Sequence, residues 1–147
     1  FNELILEQIK KMPTGGNYSA SRTATIRLQS AAHFESGIFT VAPAAASPSY
    51  CSGATYLVFL KTIEVLRERG DLTLNYETLD QLMIRGQRDG AGSWGRWNAN
   101  GPGTARLFHE LGLGSNFDDF AEAQAGQFRK IFWSPAVARE GEGHSVI

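Results

Sequence analysis

Two residues of this sequence have the types and surroundings needed for nucleophilic catalysis: Cys51, the only cysteine, and His144. Cys51 stands between a loop of small residues and an apolar run, so we expect it to begin a helix. Unpaired backbone N–H groups and the helix dipole favour a thiolate over a thiol at such a position. His144 follows a glycine-rich turn and opens a predicted strand, a rigid element from which its ring can reach the sulfur. The pair predicts a cysteine nucleophile with a histidine base, whereas His33 and His109 are expected at the surface, His33 in or after a helix.

The residues flanking Cys51 are those expected to shape the site. Ser52 and Gly53 are small, so a substrate carbonyl can approach the backbone N–H of Cys51 and use it as an oxyanion donor. Ser49 and Tyr50 come directly before the cysteine and are expected to line the cleft.

A glycine-rich stretch between residues 86 and 103 is a second candidate region, because six glycines surround two tryptophans and two asparagines there. This composition favours a structured surface loop. Its candidate substrate-cleft residues are Trp94, Trp97, Asn98 and Asn100. The tryptophans either contact a bound sugar or peptide, or are buried and hold the loop in place. The asparagines either orient an imidazole or form turns.

Composition limits the class of protein. The chain has 147 residues, of which 42% are hydrophobic, and a formal net charge of -1, which predicts one globular domain and gives no reason to expect nucleic acid or an anionic membrane as partner. No apolar run approaches the roughly 20 residues that span a bilayer. One cysteine excludes an intramolecular disulfide, and the scattered histidines predict neither a metal site nor another cofactor. Because the sequence starts at Phe1, we expect a processed or trimmed chain.

Apolar spacing predicts the elements that must hold the Cys51 and His144 side chains. We expect irregular chain from 33 to 49 with a short extended piece at 38–41, and Lys61, Glu64 and Glu68 on the exposed side of the helix that Cys51 begins. Helices are expected at about 2–12, 21–32, 51–69, 76–85 and 104–111, and strands at 128–133 and from 144 onward.

Three short motifs occur in a recognisable order: Cys51-Ser52-Gly53 at a helix start, Gly126-Gln127 before an apolar strand, and Gly143-His144 opening the next strand. This order resembles the NlpC family of papain-like cysteine peptidases, which carry Asp-Cys-Ser-Gly, then Gly-Asp with an apolar strand, then Gly-His. The resemblance implies an α+β papain-like fold, in which the nucleophile begins a central helix packed on a small antiparallel sheet, here with extra helices and a Gly/Trp-rich loop. It implies a single domain, with N-terminal helices and a loop at 1–47, the nucleophile helix at 48–70, an inserted or enlarged region at 71–124 and the histidine-bearing strands at 125–147.

The sequence departs from the family pattern at three places. Tyr50 replaces the aspartate before the cysteine, and Gln127 replaces the aspartate after the glycine. The family's third polar residue lies on the strand after the histidine, whereas this sequence ends three residues past His144. Either that residue and its strand lie beyond Ile147, or another part of the chain supplies it, or the chain is inactive.

The resemblance implies hydrolysis of amide bonds in bacterial cell-wall peptides or a similar amide, through a Cys51 thioester with His144 as base, in the periplasm or outside the cell. The alternative is an inactive papain-like module that binds glycan or peptide through the Trp94–Asn100 loop. A third hypothesis is acyl transfer, in which an amine replaces water. Rapid alkylation of Cys51 by iodoacetamide at neutral pH would favour catalysis over the binding module.

Overall fold

The computed structural model describes residues 1–85, 103–133 and 143–147. Its helices are α1 (Asn2–Lys11), α2 (Arg22–Gln29), α3 (Cys51–Glu68), α4 (Tyr76–Leu82) and α5 (Gly103–Leu111), with short 3-10 helices at Pro43–Ala46 and Phe120–Glu122. Its strands are β1 (Ala32–Glu35), β2 (Ile38–Val41), β3 (Arg129–Phe132) and β4 (Gly143–Val146). The strands form two antiparallel pairs, β1 with β2 and β3 with β4. The described residues therefore form a mixed α+β fold, as the sequence predicts at this coarse level.

Helix α3 is the element against which the others pack. Its middle is apolar on nearly every side, which is typical of a helix enclosed by neighbours, and α1, β2 and β4 all contact it. Its buried apolar residues are Tyr56, Leu57, Val58, Phe59, Leu60, Ile63 and Leu66. Because α3 begins at Cys51, the nucleophile candidate is fixed to the most enclosed helix of the described fold.

The expectation that Glu64 lies on the exposed side of α3 is wrong, since the residue is 6% exposed. Its Oε1 accepts a hydrogen bond of 2.8 Å from the backbone N–H of Val41, and its Oε2 pairs with the Lys61 ammonium. A buried carboxylate needs such partners, because burial without them costs several kcal/mol. The carboxylate therefore ties strand β2 to α3.

The short extended piece expected at 38–41 is confirmed as β2 (Ile38–Val41). The chain before it, expected to be helical or irregular, forms β1 instead, so the two strands make a β-hairpin. Strand β1 pairs with β2 from Ala32 opposite Val41 to Glu35 opposite Ile38. Positive φ angles at Ser36 and Gly37 close the turn between them. Helix α2 ends at Gln29, earlier than expected, because the chain at 30–31 already turns into the hairpin.

The two strands expected at the end of the sequence are present and pair antiparallel, with Ile131 of β3 opposite His144 of β4. Gly126 brings the approach to β3 against the start of α1. It has a φ of +85°, and a Cβ on it would lie 2.5 Å from the Asn2 carbonyl oxygen. Because β4 packs on α3, His144 lies on a strand that contacts the helix beginning at Cys51.

The region at 71–124 contributes to the same core as α3. Leu79, Leu82 and Leu107 are fully buried in its cluster. The Tyr56 hydroxyl of α3 donates a hydrogen bond of 3.0 Å to the Leu82 carbonyl oxygen. The Phe59 ring lies 5.9 Å from that of Phe108 in α5, which fixes α5 on α3. In the described part of the chain, no helix has the length and apolar character needed to cross a membrane.

Candidate active site

Cys51 is the first residue of α3, and its side chain is half-buried. Tyr50 precedes it in extended conformation, with φ -137° and ψ 166°, and its side chain does not cap the helix. The first helical hydrogen bond runs from the Ala54 N–H to the Tyr50 carbonyl oxygen, at 2.8 Å. The N–H groups of the first turn therefore have no acceptor within the helix. They are available to an anion that forms beside the sulfur.

Gly53 allows the first turn of α3 to pack closely. A Cβ at this position would lie 2.9 Å from Leu28 Cδ2 of α2, 3.3 Å from Ser49 Oγ and 3.4 Å from Tyr50 Cζ. A distance under 3 Å is closer than carbon atoms pack. The small residue predicted to give a substrate access to the backbone therefore also seats the loop before Cys51 on α2.

A segment near the N-terminus holds the loop before Cys51 from the other side. Tyr18 and Ser49 form an isolated parallel bridge, in which the Ser19 N–H donates to the Ser49 carbonyl oxygen at 2.9 Å. The Ser49 N–H donates to the Asn17 carbonyl oxygen at 3.4 Å. This pairing brings the tyrosine side chain to the beginning of α3.

The Tyr18 hydroxyl lies 3.9 Å from Cys51 Sγ and donates a hydrogen bond to it. That hydrogen bond, followed by partial desolvation, raises the pKa of Tyr18 above its ordinary value. The phenol therefore keeps its proton, and acts as a donor, throughout the neutral pH range. Sequence reasoning missed Tyr18, because it lies in a loop after two glycines, with no periodicity and no motif that points to a partner 33 residues away.

Cys51 and His144 line the same cavity, which has a volume of about 600 Å³. Its walls come from the end of α1, the segment 13–18, the loop before Cys51, the first turns of α3, and β4. The two residues thus line one cavity although they are 93 positions apart in the sequence.

His144 is half-buried on β4, next to Ser145, which is buried and also lines the cavity. Ser145 Oγ accepts a hydrogen bond of 2.5 Å from the Lys130 ammonium across the strand pair. Within residues 1–85, 103–133 and 143–147, no side chain is hydrogen-bonded to the His144 ring. The described part of the chain therefore supplies no third, orienting group.

The other histidines lie elsewhere, as expected. Both are exposed and neither lines the cavity. His33 lies in β1 opposite Thr40, and its Nε2 is 2.8 Å from the Ser30 carbonyl oxygen. His109 lies on the exposed face of α5. His144 is thus the only histidine of the described chain that lines this cavity.

The predicted neighbours of the nucleophile divide into two groups. Ser49 and Tyr50 line the cavity, as expected. The expectation that Ser52 shapes the site is wrong, since it is 1% exposed and does not line the cavity. Its hydroxyl points into the core, because the helical rotation after Cys51 turns the next side chain inward. The predicted substrate-cleft residues Trp94, Trp97, Asn98 and Asn100 lie outside the described residues.

A scan against models of known protein families found no match, and neither did searches for similar curated proteins and for similar solved structures. Within the described residues, no group of three or more histidine, cysteine or acidic side chains is placed to hold a metal ion. The described site thus combines a thiol, an imidazole, a phenol and the N–H groups of a helix start in one cavity. Nucleophilic attack on a carbonyl with proton transfer uses groups of these kinds.

Proposed function

We propose that this protein is a cysteine-dependent amide hydrolase in which Cys51 is the nucleophile and His144 transfers the protons. The observation that carries the proposal is that both side chains line one cavity of about 600 Å³, although they come from different elements. Cys51 is half-buried rather than enclosed in the core, and an imidazole and a phenol line the same cavity. A cysteine at a helix N-terminus with a histidine nearby is a common arrangement for a thiolate nucleophile.

The reaction proceeds in two stages. In the first, the Cys51 thiolate attacks the amide carbonyl carbon, forming an S–C bond and an oxyanion. Collapse of this intermediate breaks the C–N bond, and the His144 imidazolium gives its proton to the leaving amine. In the second, His144 takes a proton from water, which attacks the thioester and releases the acid and the thiolate.

Two sets of donors face the developing oxyanion. The N–H groups at the first turn of α3 have no intrahelical acceptor, and no Tyr50 side-chain cap occupies them. The Tyr18 hydroxyl approaches the sulfur to 3.9 Å, so it lies near any carbonyl bonded to that sulfur. Fixed donors aimed at developing charge are commonly the largest single contribution to catalysis.

The order of three short sequence motifs supports a more specific proposal for the fold and for the class of substrate. The Cys-Ser-Gly, Gly-Gln and Gly-His motifs resemble those of the NlpC-type papain-like peptidases, and Cys51 at the start of α3 with His144 on an antiparallel strand agrees with that arrangement. We therefore propose a papain-like domain that acts on bacterial cell-wall peptides, or a similar amide, in the periplasm or outside the cell.

The test is incubation of the purified protein with cell-wall peptides, with new amino groups quantified and products identified by mass spectrometry. We expect Cys51→Ala to abolish release, whereas Thr23→Ala, on the exposed side of α2 and outside the cavity, should retain it. In the presence of substrate, hydroxylamine should trap the thioester of the wild-type protein as a hydroxamate, whereas Cys51→Ala should give no hydroxamate. Unchanged hydrolysis by Cys51→Ala would exclude this mechanism. Binding of the peptides without hydrolysis would instead favour the inactive glycan- or peptide-binding module.

A further inference from the structure

We propose that the cavity beside Cys51 selects a substrate segment that is uncharged and largely apolar. This inference rests on the proposed function, because it names the chemistry of the group that the same site takes. It concerns the part of the substrate next to the scissile amide, which must occupy the cavity while Cys51 attacks.

The described wall of the cavity is dominated by apolar side chains. The contributing side chains include Ile9 of α1, Met12 directly after it, Pro43 of the first 3-10 helix, and Leu57 and Val58 of α3. Aspartate, glutamate, lysine and arginine make up 20% of the whole chain, yet none occurs among the described residues that line this wall. A wall of this composition favours aliphatic groups through the area that they remove from water.

Besides His144, the polar side chains of the described wall carry no formal charge. Ser49 lines the cavity, but its Oγ is fully buried and has no hydrogen-bond partner among the described residues, so this atom does not face a substrate. Asn17 and Ser145 also line the cavity. The exposed Asn17 side chain can pair with the amide of a peptide, which would otherwise be buried without a hydrogen-bond partner.

A charged substrate group would be disfavoured by the same wall. A carboxylate or an ammonium would lose part of its hydration there, and no Asp, Glu, Lys or Arg among the described lining residues offers it a charge of opposite sign. The Lys130 ammonium donates to Ser145 Oγ and does not itself line the cavity. Burying a charge without a partner costs far more than burying a neutral amide. The described wall thus discriminates against acidic and basic groups alike.

Alkylation of Cys51 measures this selectivity directly, because the protein has one cysteine. The probes are iodoacetamides with N-butyl, N-(2-carboxyethyl) or N-(2-aminoethyl) groups, which share one reactive carbon and differ in charge. In each case Sγ forms a bond to the methylene carbon, the C–I bond breaks and iodide leaves. Each rate, read from the intact mass, is divided by the rate of the same reagent with the urea-unfolded protein, which has no cavity.

We expect the normalised rate of the butyl probe to exceed that of each charged probe by about tenfold or more. Thr14 is an exposed residue of the cavity wall, so Thr14→Lys should raise the relative rate of the carboxyethyl probe about threefold. Thr14→Glu should do the same for the aminoethyl probe. Thr23→Lys adds the same charge outside the cavity and should change neither rate.

Equal or faster normalised alkylation by the charged probes would overturn the inference. The two proposals fail separately, because alkylation does not require amide hydrolysis. Selective alkylation without hydrolysis of any amide would exclude the proposed function and leave the selectivity of the cavity intact. Hydrolysis that Cys51→Ala abolishes, combined with unselective alkylation, would exclude only the selectivity.

Discussion

The Tyr18 hydroxyl lies 3.9 Å from Cys51 Sγ, and this contact joins a loop near the N-terminus to the first residue of α3. We expect Tyr18→Phe to lower kcat/KM for amide hydrolysis by about 10- to 100-fold, because it removes one oxyanion donor. The side chain is 70% exposed, so the melting temperature should change little. Steady-state kinetics and thermal denaturation of the same preparations measure both effects.

Tyr76→Phe is the matched control, since Tyr76 is 68% exposed and lies outside the cavity. It should retain wild-type kcat/KM. Full activity of Tyr18→Phe would show that the phenol neither stabilises the oxyanion nor positions the substrate.

His144 carries the second prediction. His144→Ala should lower kcat by about 10²-fold or more, because proton transfer to the leaving amine and from water is lost. His109→Ala, on the exposed face of α5, should keep the wild-type rate. Circular dichroism checks that both variants are folded. Comparable losses in the two variants would contradict the assignment of His144.

Gly53 is a structural requirement of the site. Gly53→Ala should destabilise the protein by about 1–3 kcal/mol, because its methyl group would lie 2.9 Å from Leu28 Cδ2. Urea denaturation measures the loss. The same substitution in a Leu28→Ala background should cost less, since the double variant has room for the methyl group. An equal cost in both backgrounds would show that the Leu28 contact is not the cause.

The buried phenol of Tyr56 should make the stability of the protein depend on pH in the alkaline range. Burial raises the pKa of its phenol far above the ordinary value. In the unfolded chain the phenol ionises near pH 10, whereas the folded protein keeps the proton, so unfolding releases a proton above that pH. The free energy of unfolding should therefore fall as the pH rises beyond about 10, by up to about 1.4 kcal/mol per pH unit from this group.

Tyr56→Phe should remove that part of the alkaline decline, although it costs about 1 kcal/mol at pH 7 through loss of the hydrogen bond to the Leu82 carbonyl oxygen. Urea denaturation at pH 7 and pH 10.5–11, values chosen to bracket the ordinary tyrosine pKa of about 10, measures both effects. Phe59→Leu, a core change without a titrating group, should lower stability equally at both pH values. An unchanged alkaline decline in Tyr56→Phe would contradict the prediction.

The amino-acid sequence by itself determined the elements that carry the two candidate catalytic residues. The run after Cys51 is apolar on nearly every side, which predicts a buried helix, and the glycine and β-branched pattern around His144 predicts a strand. These are local properties, because side-chain periodicity and glycine placement act over a few residues. The candidate nucleophile and base could therefore be named before the structure was known.

Only the tertiary structure decided what surrounds that pair. Tyr18 reaches Cys51 through a parallel bridge to Ser49, and Ser52 turns into the core. Glu64 looks solvent-exposed by its charge, yet it binds the Val41 N–H of β2, a predicted extended piece whose pairing with β1 the sequence pattern did not predict. Each of these features depends on contacts between segments that are distant in the sequence. Local periodicity does not predict such contacts, because they are fixed by the packing of the whole core.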